Sequence, residues 1–342
     1  MAQELQFDIR QIFIDACKYN DLYKVKLCCE GLGLSVNTKA RCQEGGGRQP
    51  KTTGLIEALL EHSNEVVNWL LSQERIDVNL DSQIYTPLSA ACYARNVRAV
   101  RRLVQAPGID LNWQAGDGAT AAHMAATNSA ACVQVLASVP GVDWNKKDHG
   151  GETPLFYALS HGDPEAVRTI LNTPGVDLQV RDELGNTVAH TCSRRWRSLE
   201  LVQEGLFRTG RDARRLEVLT EEEEVPWNEK NNAGDTPLTM ALKNNRPDMA
   251  KVLLKCQWVD ATIADNRGRT PEMLARFVQL YSTVRKLFVE FDVQEQQPDL
   301  AAGVNTRDHG AQGQEAAGAG GEAREIQHQQ RYSRVSGNIR NR

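Results

Sequence analysis

The sequence predicts an all-α repeat solenoid, in which short helix-turn-helix units stack on one another and hairpin or turn fingers project between them. Three observations predict this fold. A Thr-Pro-Leu fragment recurs at Thr86, Thr153 and Thr236, a small residue follows five positions after each of these threonines, and a second apolar stripe comes later in each unit. Self-similarity at a fixed period of roughly 20 to 50 residues is typical of solenoids and related repeat folds.

The period is the most regular of these observations. Weaker copies of the fragment begin at Thr53, Thr120, Thr187 and Thr270. Successive threonines lie 33 or 34 residues apart, except that 49 residues separate Thr187 from Thr236. We therefore place one unit in each period and expect additional residues in the long interval.

Each of these threonines is expected to begin a helix. A threonine side chain can accept a hydrogen bond from the first helical turn, and proline at the first helical position loses no hydrogen bond that the helix needs. The small residues that follow would let two helix axes approach closely. They are Ala58, Ala91, Ala125, Ala158, Cys192, Ala241 and Ala275.

A second helix is expected later in each unit, because apolar residues recur at offsets of three and four. These stripes are Val67/Leu70/Leu71, Val100/Leu103/Val104, Val167/Ile170/Leu171, Ala250/Leu253/Leu254 and Val284/Leu287/Phe288. A turn and a short extended piece, such as Asp77-Val78-Asn79, would close the unit. Because two short helices cannot bury their apolar faces alone, neighbouring units must stack.

The period and the Thr-Pro-Leu-x-x-Ala pattern resemble the ankyrin repeat. The resemblance covers about residues 7–292, and we predict a repeat domain at residues 1–292 with about eight units, the first and last acting as caps. The histidine of the family motif, three positions after the threonine, is present only at His123 and His190. This departure argues against regular hydrogen bonding between all units.

The resemblance also implies where a partner would bind, since ankyrin repeats read partners just before the threonine and seven or eight residues after it. The candidate partner-binding residues at these positions are Tyr85, Tyr93, Thr127, Asn128, Glu152, Ser160, His161, Arg194, Arg195, Lys243 and Asn244. Trp113 joins them because it follows Asn112 on a predicted hairpin, and exposed tryptophan often anchors a partner. Trp144 and Trp227 occupy apolar positions of the repeat and are expected in the core.

Two insertions interrupt the repeats. One lies near residues 38–50 and resembles a phosphate-binding loop, but Pro50 stands where that loop needs its last glycine, so we expect a mobile extended finger. The other lies near residues 196–211, between the two helices of the sixth unit, in an arginine-rich region. It could bind an acidic or phosphorylated partner. We favour a solvated loop whose arginines pair with the run Glu221–Glu224.

Composition narrows the classes of function. A net charge of −4 argues against a nucleic-acid-binding protein. Neither a run of 18 apolar residues nor a signal-peptide pattern is present, so we expect no membrane insertion and a cytosolic or nuclear protein. The eight cysteines without a Cys-x-x-Cys pair also indicate a reducing compartment. Residues 293–342 are rich in Gln, Gly, Ala and Arg and are predicted to be disordered.

No familiar catalytic, cofactor-binding or metal-binding pattern occurs in the sequence. We therefore predict a monomeric, non-enzymatic scaffold or adaptor that binds another protein along the concave groove of the repeats, with no cofactor, metal or small-molecule substrate. Two alternatives stay open. One is a signalling or transcription regulator that sequesters a basic segment of its partner, which needs an acidic groove. The other is a substrate adaptor of a ubiquitin ligase, which needs an additional recruiting helix.

Overall fold

The computed structural model describes residues 9–41, 51–194, 209–277 and 288. They belong to one of two units of the chain, Met1–Glu295; the other, Gln296–Arg342, lies outside the described residues. The predictions for the disordered tail at 293–342, for Arg195 and for most of both insertions therefore concern residues that the structure does not describe.

Helix pairs follow one another along the described chain, which confirms the predicted repeat solenoid. The first helices of successive units are Ile9–Lys18, Gly54–Leu60, Pro87–Tyr93, Ala121–Asn128, Pro154–His161, Val188–Thr191, Pro237–Lys243 and Pro271–Phe277. The second helices are Leu22–Lys26, Asn64–Leu70, Val97–Leu103, Ala130–Ala137, Pro164–Leu171, Thr209–Leu219 and Pro247–Lys255. In the first unit, the second helix continues as a π-helical turn, Leu27–Gly31.

The threonines begin the first helices as predicted. The hydroxyl oxygens of Thr53, Thr86, Thr236 and Thr270 accept hydrogen bonds of 3.1 to 3.3 Å from the backbone N–H three residues later. Proline at the first helical position follows in the third, fifth and seventh units. A side-chain cap of this kind stabilises a helix by about 1 kcal/mol.

Stacking of the units buries the small residues. Successive first helices pack on one another throughout, and successive second helices do so between the first and second units and from the third unit to the seventh. Six alanines at the predicted small position are fully buried and Cys192 is nearly so: Ala58, Ala91, Ala125, Ala158, Ala241 and Ala275. Trp144 and Trp227 lie in the same core, as predicted.

Two short strands join the first unit to the second. Lys39–Arg41 pairs antiparallel with Lys51–Thr53, so that Lys39 lies opposite Thr53. The insertion predicted near residues 38–50 therefore begins in a β-ladder, and the partner strand follows it. Its glycine-rich centre, residues 42–50, lies outside the described part of the chain.

A ladder of amide side chains connects the loops between units. Asn145 donates from Nδ2 to the carbonyl oxygen of Gly175 at 2.7 Å, and its Oδ1 accepts from the backbone N–H of Asp177 at 2.8 Å. The corresponding pair of bonds is made by Asn37, Asn79, Asn112 and Asn228. Segments predicted to be extended, such as Asp77-Val78-Asn79, therefore contain turns that the ladder holds in place.

The ladder changes between the fifth and sixth units. Gln179 replaces the asparagine and donates to the carbonyl oxygen of Glu224. Pro226 replaces the aspartate that follows in other loops, and it has no N–H to donate. An open cleft of about 710 Å³ lies here, with Gln179, Glu224, Pro226 and Trp258 in its lining.

The sixth unit differs from the prediction in both helices. By sequence, residues 187–195 match the first helices of other units, but the helix ends at Thr191 as the chain turns toward the insertion. The second helix begins at Thr209, inside the insertion predicted near residues 196–211, and is longer than its counterpart Ala130–Ala137. The added turn carries Asp212, which pairs with Arg215 of the same helix and with Arg246 of the next unit at 2.7 Å. These ion pairs give the added turn its own contacts in the stack.

The motif histidines bridge neighbouring units. Nε2 of His123 lies 3.1 Å from the carbonyl oxygen of Glu152, and His190 makes the same contact with Asp235. At the corresponding position, Ser89 only caps its own helix by accepting from the backbone N–H of Thr86 at 2.8 Å. Hydrogen bonding between units from the motif-histidine position is thus irregular, as the sequence predicts.

Candidate functional site

The loops before the capping threonines, called fingers here, form one surface together with the C-terminal ends of the first helices; we call it the finger face. Asp148 begins one finger, and its Oδ1 accepts from the backbone N–H groups of Gly150 and Glu152 at 2.9 and 2.8 Å. The same turn is built on Asp182, Asn231 and Asp265. Backbone hydrogen bonds also join adjacent fingers, as from His149 to Asp117 at 3.0 Å. The backbone of the face is therefore held in a fixed row.

Two of the predicted residues, Tyr85 and Tyr93, lie together on the third unit. Their ring centroids are 5.2 Å apart, with the planes tilted by 37°. Tyr93 is 48% exposed, and the fingertip residue Ile84 is 50% exposed. Burial, with smaller effects of Tyr93 and Asp117, raises the pKa of Tyr85 to about 12, so its hydroxyl is protonated at neutral pH. We call Ile84, Tyr85 and Tyr93 the aromatic patch.

The predicted helix-end residues of the fourth and fifth units are less available. The Thr127 hydroxyl donates to the carbonyl oxygen of His123, and the Asn128 amide donates to that of Met124 at 2.9 Å. Ser160 is only 6% exposed, whereas His161 is exposed. Ser160 can therefore contribute little to a contact surface.

Glu152 and Arg194 form an ion pair on the finger face. Arg194 also lies 3.6 Å from Asp182, whose side chain is only 2% exposed. Burial is the main cause that raises the pKa of Glu152; Arg194 opposes the rise, and the nearby Asp148 and Asp182 add to it. Arg194 therefore holds together carboxylates of two successive fingers.

Lys243 and Asn244 are likewise engaged within the chain. Lys243 pairs with Asp235 and with the buried Asp265, the latter at 2.7 Å. The Asn244 amide donates to the carbonyl oxygen of Ser193 at 2.8 Å. Arg194 and Lys243, two of the cations that the sequence marks as anchors for a partner, thus already neutralise carboxylates of the fingers.

The arginines near the second insertion do not follow the expected pairing where the structure describes them. Arg194 pairs with Glu152, and Arg215 pairs with Asp212. The run Glu221–Glu224 is instead bound by Arg168, which lies 3.4 Å from Glu221. The expected pairing is wrong for these two arginines because Glu152 of the fifth unit and Asp212 of the same helix supply their carboxylates.

Trp113 is 42% exposed, which confirms the predicted exposure. It follows the ladder residue Asn112 and belongs to a loop between units, not to a finger or a first helix. Sequence reasoning missed Ile84, Asp117 and Asp148 on the finger face. The sequence could have indicated them by their position, because each lies two to five residues before a capping threonine.

Cysteine and histidine chemistry on the described chain fits a structural role. A hydrogen bond with Cys92 is the main cause that lowers the pKa of Cys132 to about 7, but both thiols are fully buried. Burial raises the pKa of Cys192 to about 12, and its Sγ lies 3.7 Å from the carbonyl oxygen of Leu159. Within the described residues, no cluster of His, Cys, Asp or Glu could hold a metal ion, and no helix is long and apolar enough to cross a membrane.

Comparison with known families agrees with the repeat geometry. A family model described as ankyrin repeats, in three copies, matches residues 13–115, 100–182, 120–216 and 207–297. These matches span most of the chain. The chain belongs to the ankyrin-repeat family.

Two solved structures show distant similarity to this ankyrin-repeat chain. One is the structure of the predatory endopeptidase Bd0816 from Bdellovibrio bacteriovorus in complex with the immunity protein Bd3460. A chain of that structure matches with 23% identity over 53% of this chain and 89% of that chain and a TM-score of 0.44. The other is EF0377, an ankyrin repeat protein, with 19% identity over 58% of this chain and 95% of that chain and a TM-score of 0.49.

Proposed function

We propose that this ankyrin-repeat protein is a non-enzymatic interaction module, a scaffold or adaptor, that binds a partner protein along its finger face. The observation that carries the proposal is the aromatic patch. Tyr93 and Ile84 leave about half of their surface exposed, whereas Leu88, Val100 and Leu103 of the same unit are buried. Tyrosine is over-represented among the residues that dominate protein interfaces.

The rigidity of the finger face also favours binding. Each finger is closed by side-chain hydrogen bonds, and adjacent fingers are joined through their backbones. A surface that is ordered before binding loses little conformational entropy when a partner arrives. The conformational entropy lost on binding therefore comes mainly from the partner.

The paired cations have a different role in this proposal. Arg194 and Lys243 are bound to Glu152 and Asp235 and hold fingers of successive units together. Replacing them would disturb the surface as well as any contact with a partner. We assign the affinity for the partner to the aromatic patch. Arg194 and Lys243 position the fingers.

Site-specific photo-crosslinking in cells tests the proposal. A photoreactive phenylalanine derivative replaces Tyr93 in the full chain, and a matched variant carries it at Arg101, an exposed residue of a second helix. We expect a discrete crosslinked protein from position 93 and none from position 101. The same products from both positions, or none from position 93, would contradict the proposed face.

Trp113 offers a second position for the same experiment. It is exposed but belongs to the loop after Asn112. A product from position 113 with none from position 93 would move the binding surface to the loops between units. A product from position 93 alone supports the finger face.

A further inference from the structure

We propose that the finger face of the third to fifth units binds a partner segment that carries an apolar side chain and, a few residues from it, a lysine or arginine. The apolar side chain lies on the aromatic patch, and the cation lies among the carboxylates of Asp117, Asp148 and Glu152. This inference rests on the proposed function and adds the chemistry of the partner.

The aromatic patch sets one end of the segment. The ring of Tyr85 packs against the ring of Tyr93, with 5.2 Å between their centroids. Ile84 precedes Tyr85 in the chain. An aliphatic or aromatic side chain on this patch would remove apolar surface from water, and the gain is proportional to the area buried. A charged side chain gains nothing comparable there.

The carboxylates set the charge of the next part of the face. The first helices of the fourth and fifth units, Ala121–Asn128 and Pro154–His161, contain no Asp, Glu, Lys or Arg. The charge is therefore set by the fingers, where Asp117, Asp148 and Glu152 lie.

Two of the cations near this stretch are already bound. Arg194 pairs with Glu152 and Asp182, and Nζ of Lys147 donates to the carbonyl oxygen of Arg181 at 3.1 Å. Arg95 is exposed just after the helix that carries Tyr93. It would repel a cation over the third unit, which places the partner's cation toward the fourth and fifth units.

Two of the three carboxylates have no ion pair within the described chain. Asp117 is exposed, and its Oδ1 accepts from the backbone N–H of Ala119 at 3.0 Å. Asp148 accepts from two backbone N–H groups and from the Tyr157 hydroxyl at 2.7 Å. Each can accept a further hydrogen bond from an ammonium or guanidinium group, and such charge-assisted bonds are the strong ones.

The spacing of the units predicts the spacing in the partner. Packed helices lie about 8 to 10 Å apart, and an extended chain advances about 3.3 Å per residue. The finger of Asp117 is one unit from the aromatic patch, so its cation should lie roughly three residues from the apolar side chain. A second cation roughly six residues away would reach Asp148 and Glu152.

Synthetic peptides test this arrangement directly. The probes are short degenerate peptides with a fixed leucine and, three residues before or after it, a fixed Lys, Gln or Glu, the remaining positions being uncharged. Their affinity for the full chain is measured by fluorescence anisotropy. We expect the lysine peptides to bind about tenfold more tightly than the glutamine peptides and the glutamate peptides to bind most weakly.

Three variants of the full chain locate the effect. Asp117→Asn keeps the acceptor for Ala119 and removes the charge, so the preference for lysine should fall to about threefold or less. Glu165→Gln, an exposed acid on a second helix, should leave the preference unchanged. Tyr93→Ala should weaken all three peptide sets.

The outcomes separate this inference from the proposed function. Equal binding of the lysine and glutamate peptides, with the loss in Tyr93→Ala retained, overturns the basic partner but supports the finger face. A lysine preference that Asp117→Asn leaves intact overturns the assignment to these carboxylates. Absence of binding by every peptide up to about 1 mM also overturns the inference, while crosslinking at position 93 still decides the proposed function.

Discussion

Nε2 of His190 lies 2.8 Å from the carbonyl oxygen of Asp235, 45 residues further along the chain. Nδ1 of the same ring accepts from the backbone N–H of Thr187 at 3.1 Å, so the proton of the neutral ring is on Nε2 and is donated to Asp235. His190 is fully buried, and this burial is the main cause that lowers its pKa to about 4. One imidazole thus caps a helix and joins two units, but only while it is neutral.

The stability of the protein should therefore decrease in mild acid. A histidine in the unfolded chain titrates near pH 6.5, whereas folded His190 titrates near 4, so between these values the unfolded chain binds the additional proton. The free energy of unfolding falls as pH falls through this window, and the contribution of His190 is at most about 3 kcal/mol. Urea unfolding measured between pH 7.5 and pH 4 checks the prediction.

His190→Thr separates this residue from other titrating groups. Thr239 shows that a threonine at this position still accepts from the backbone N–H of the capping threonine, at 2.8 Å. The variant should lose about 1 to 3 kcal/mol at neutral pH and show a shallower pH dependence than the wild type. His149→Thr, at an exposed finger residue, should keep the wild-type slope. An unchanged slope in His190→Thr would contradict the assignment.

Gly54 occupies the position where the repeat motif favours proline. A Cβ atom on Gly54 would lie 2.6 Å from Cε1 of Phe13 and 2.8 Å from Sγ of Cys17, both buried in the first unit. Gly54→Pro and Gly54→Ala should therefore destabilise the protein by about 1 to 3 kcal/mol, although the motif alone would recommend the proline. Thermal or denaturant unfolding measures the change.

Ala121→Pro is the matched control, because Ala121 follows Thr120 at the same position of the fourth unit and already carries a Cβ atom. Its effect should stay below about 1 kcal/mol, since proline is tolerated at the first helical position. Destabilisation of similar size in both variants would mean that proline itself, and not the contact with Phe13, is the cause.

The helices could be predicted from sequence because their starts are encoded locally. Thr86 and Ser89 cap one helix within four residues, and the same pattern recurs at fixed intervals. The early end of the helix at Thr191 could not be predicted, since residues 187–195 match the longer first helices of other units by sequence. The replacement of the ladder asparagine by Gln179, and of the aspartate it binds by Pro226, could not be predicted either. Its meaning depends on the bonds that the other asparagines make in the structure.

The candidate site was only partly predictable for a similar reason. The repeat register places Tyr85 and Tyr93 on the face, and the structure brings their rings together. Register does not reveal that Ser160 is buried or that Arg194 is bound to Glu152, 42 residues away. Such pairings join different units, and the spacing within one unit carries no information about them.

Asn145 should contribute to stability through both of its contacts with the next loop. Asn145→Ala removes the bonds to Gly175 and Asp177 and should cost about 1 to 2 kcal/mol. Asn145→Asp should cost more, because it places a carboxylate oxygen against the carbonyl oxygen of Gly175. Faster hydrogen exchange at the backbone N–H of Asp177 is the local measurement, and Lys146→Ala, one residue away, should leave that exchange unchanged. Equal exchange rates in all variants would show that the ladder adds no local protection.

Asp212 should be required for stability because its carboxylate compensates the buried positive charge of Arg215. The side chain of Arg215 is only 6% exposed, and its guanidinium pairs with Asp212 and donates to the carbonyl oxygen of Gly162 at 2.9 Å. Asp212→Ala leaves this cation buried without its carboxylate and should cost about 3 to 5 kcal/mol in the free energy of unfolding. The double variant Asp212→Ala with Arg215→Met removes the uncompensated charge and should be more stable than Asp212→Ala alone.

An exposed ion pair supplies the comparison for this prediction. Arg168 and Glu221 lie 3.4 Å apart with side chains 47% and 63% exposed, and Glu221→Ala should cost less than about 1 kcal/mol, because water screens the pair. Denaturant unfolding of the wild type, Asp212→Ala, the double variant and Glu221→Ala measures these differences. If the double variant were no more stable than Asp212→Ala, the loss would come from the contact of Asp212 with Arg246 and not from the buried charge of Arg215. Asp212 would then stabilise the protein by joining the sixth unit to the seventh through Arg246.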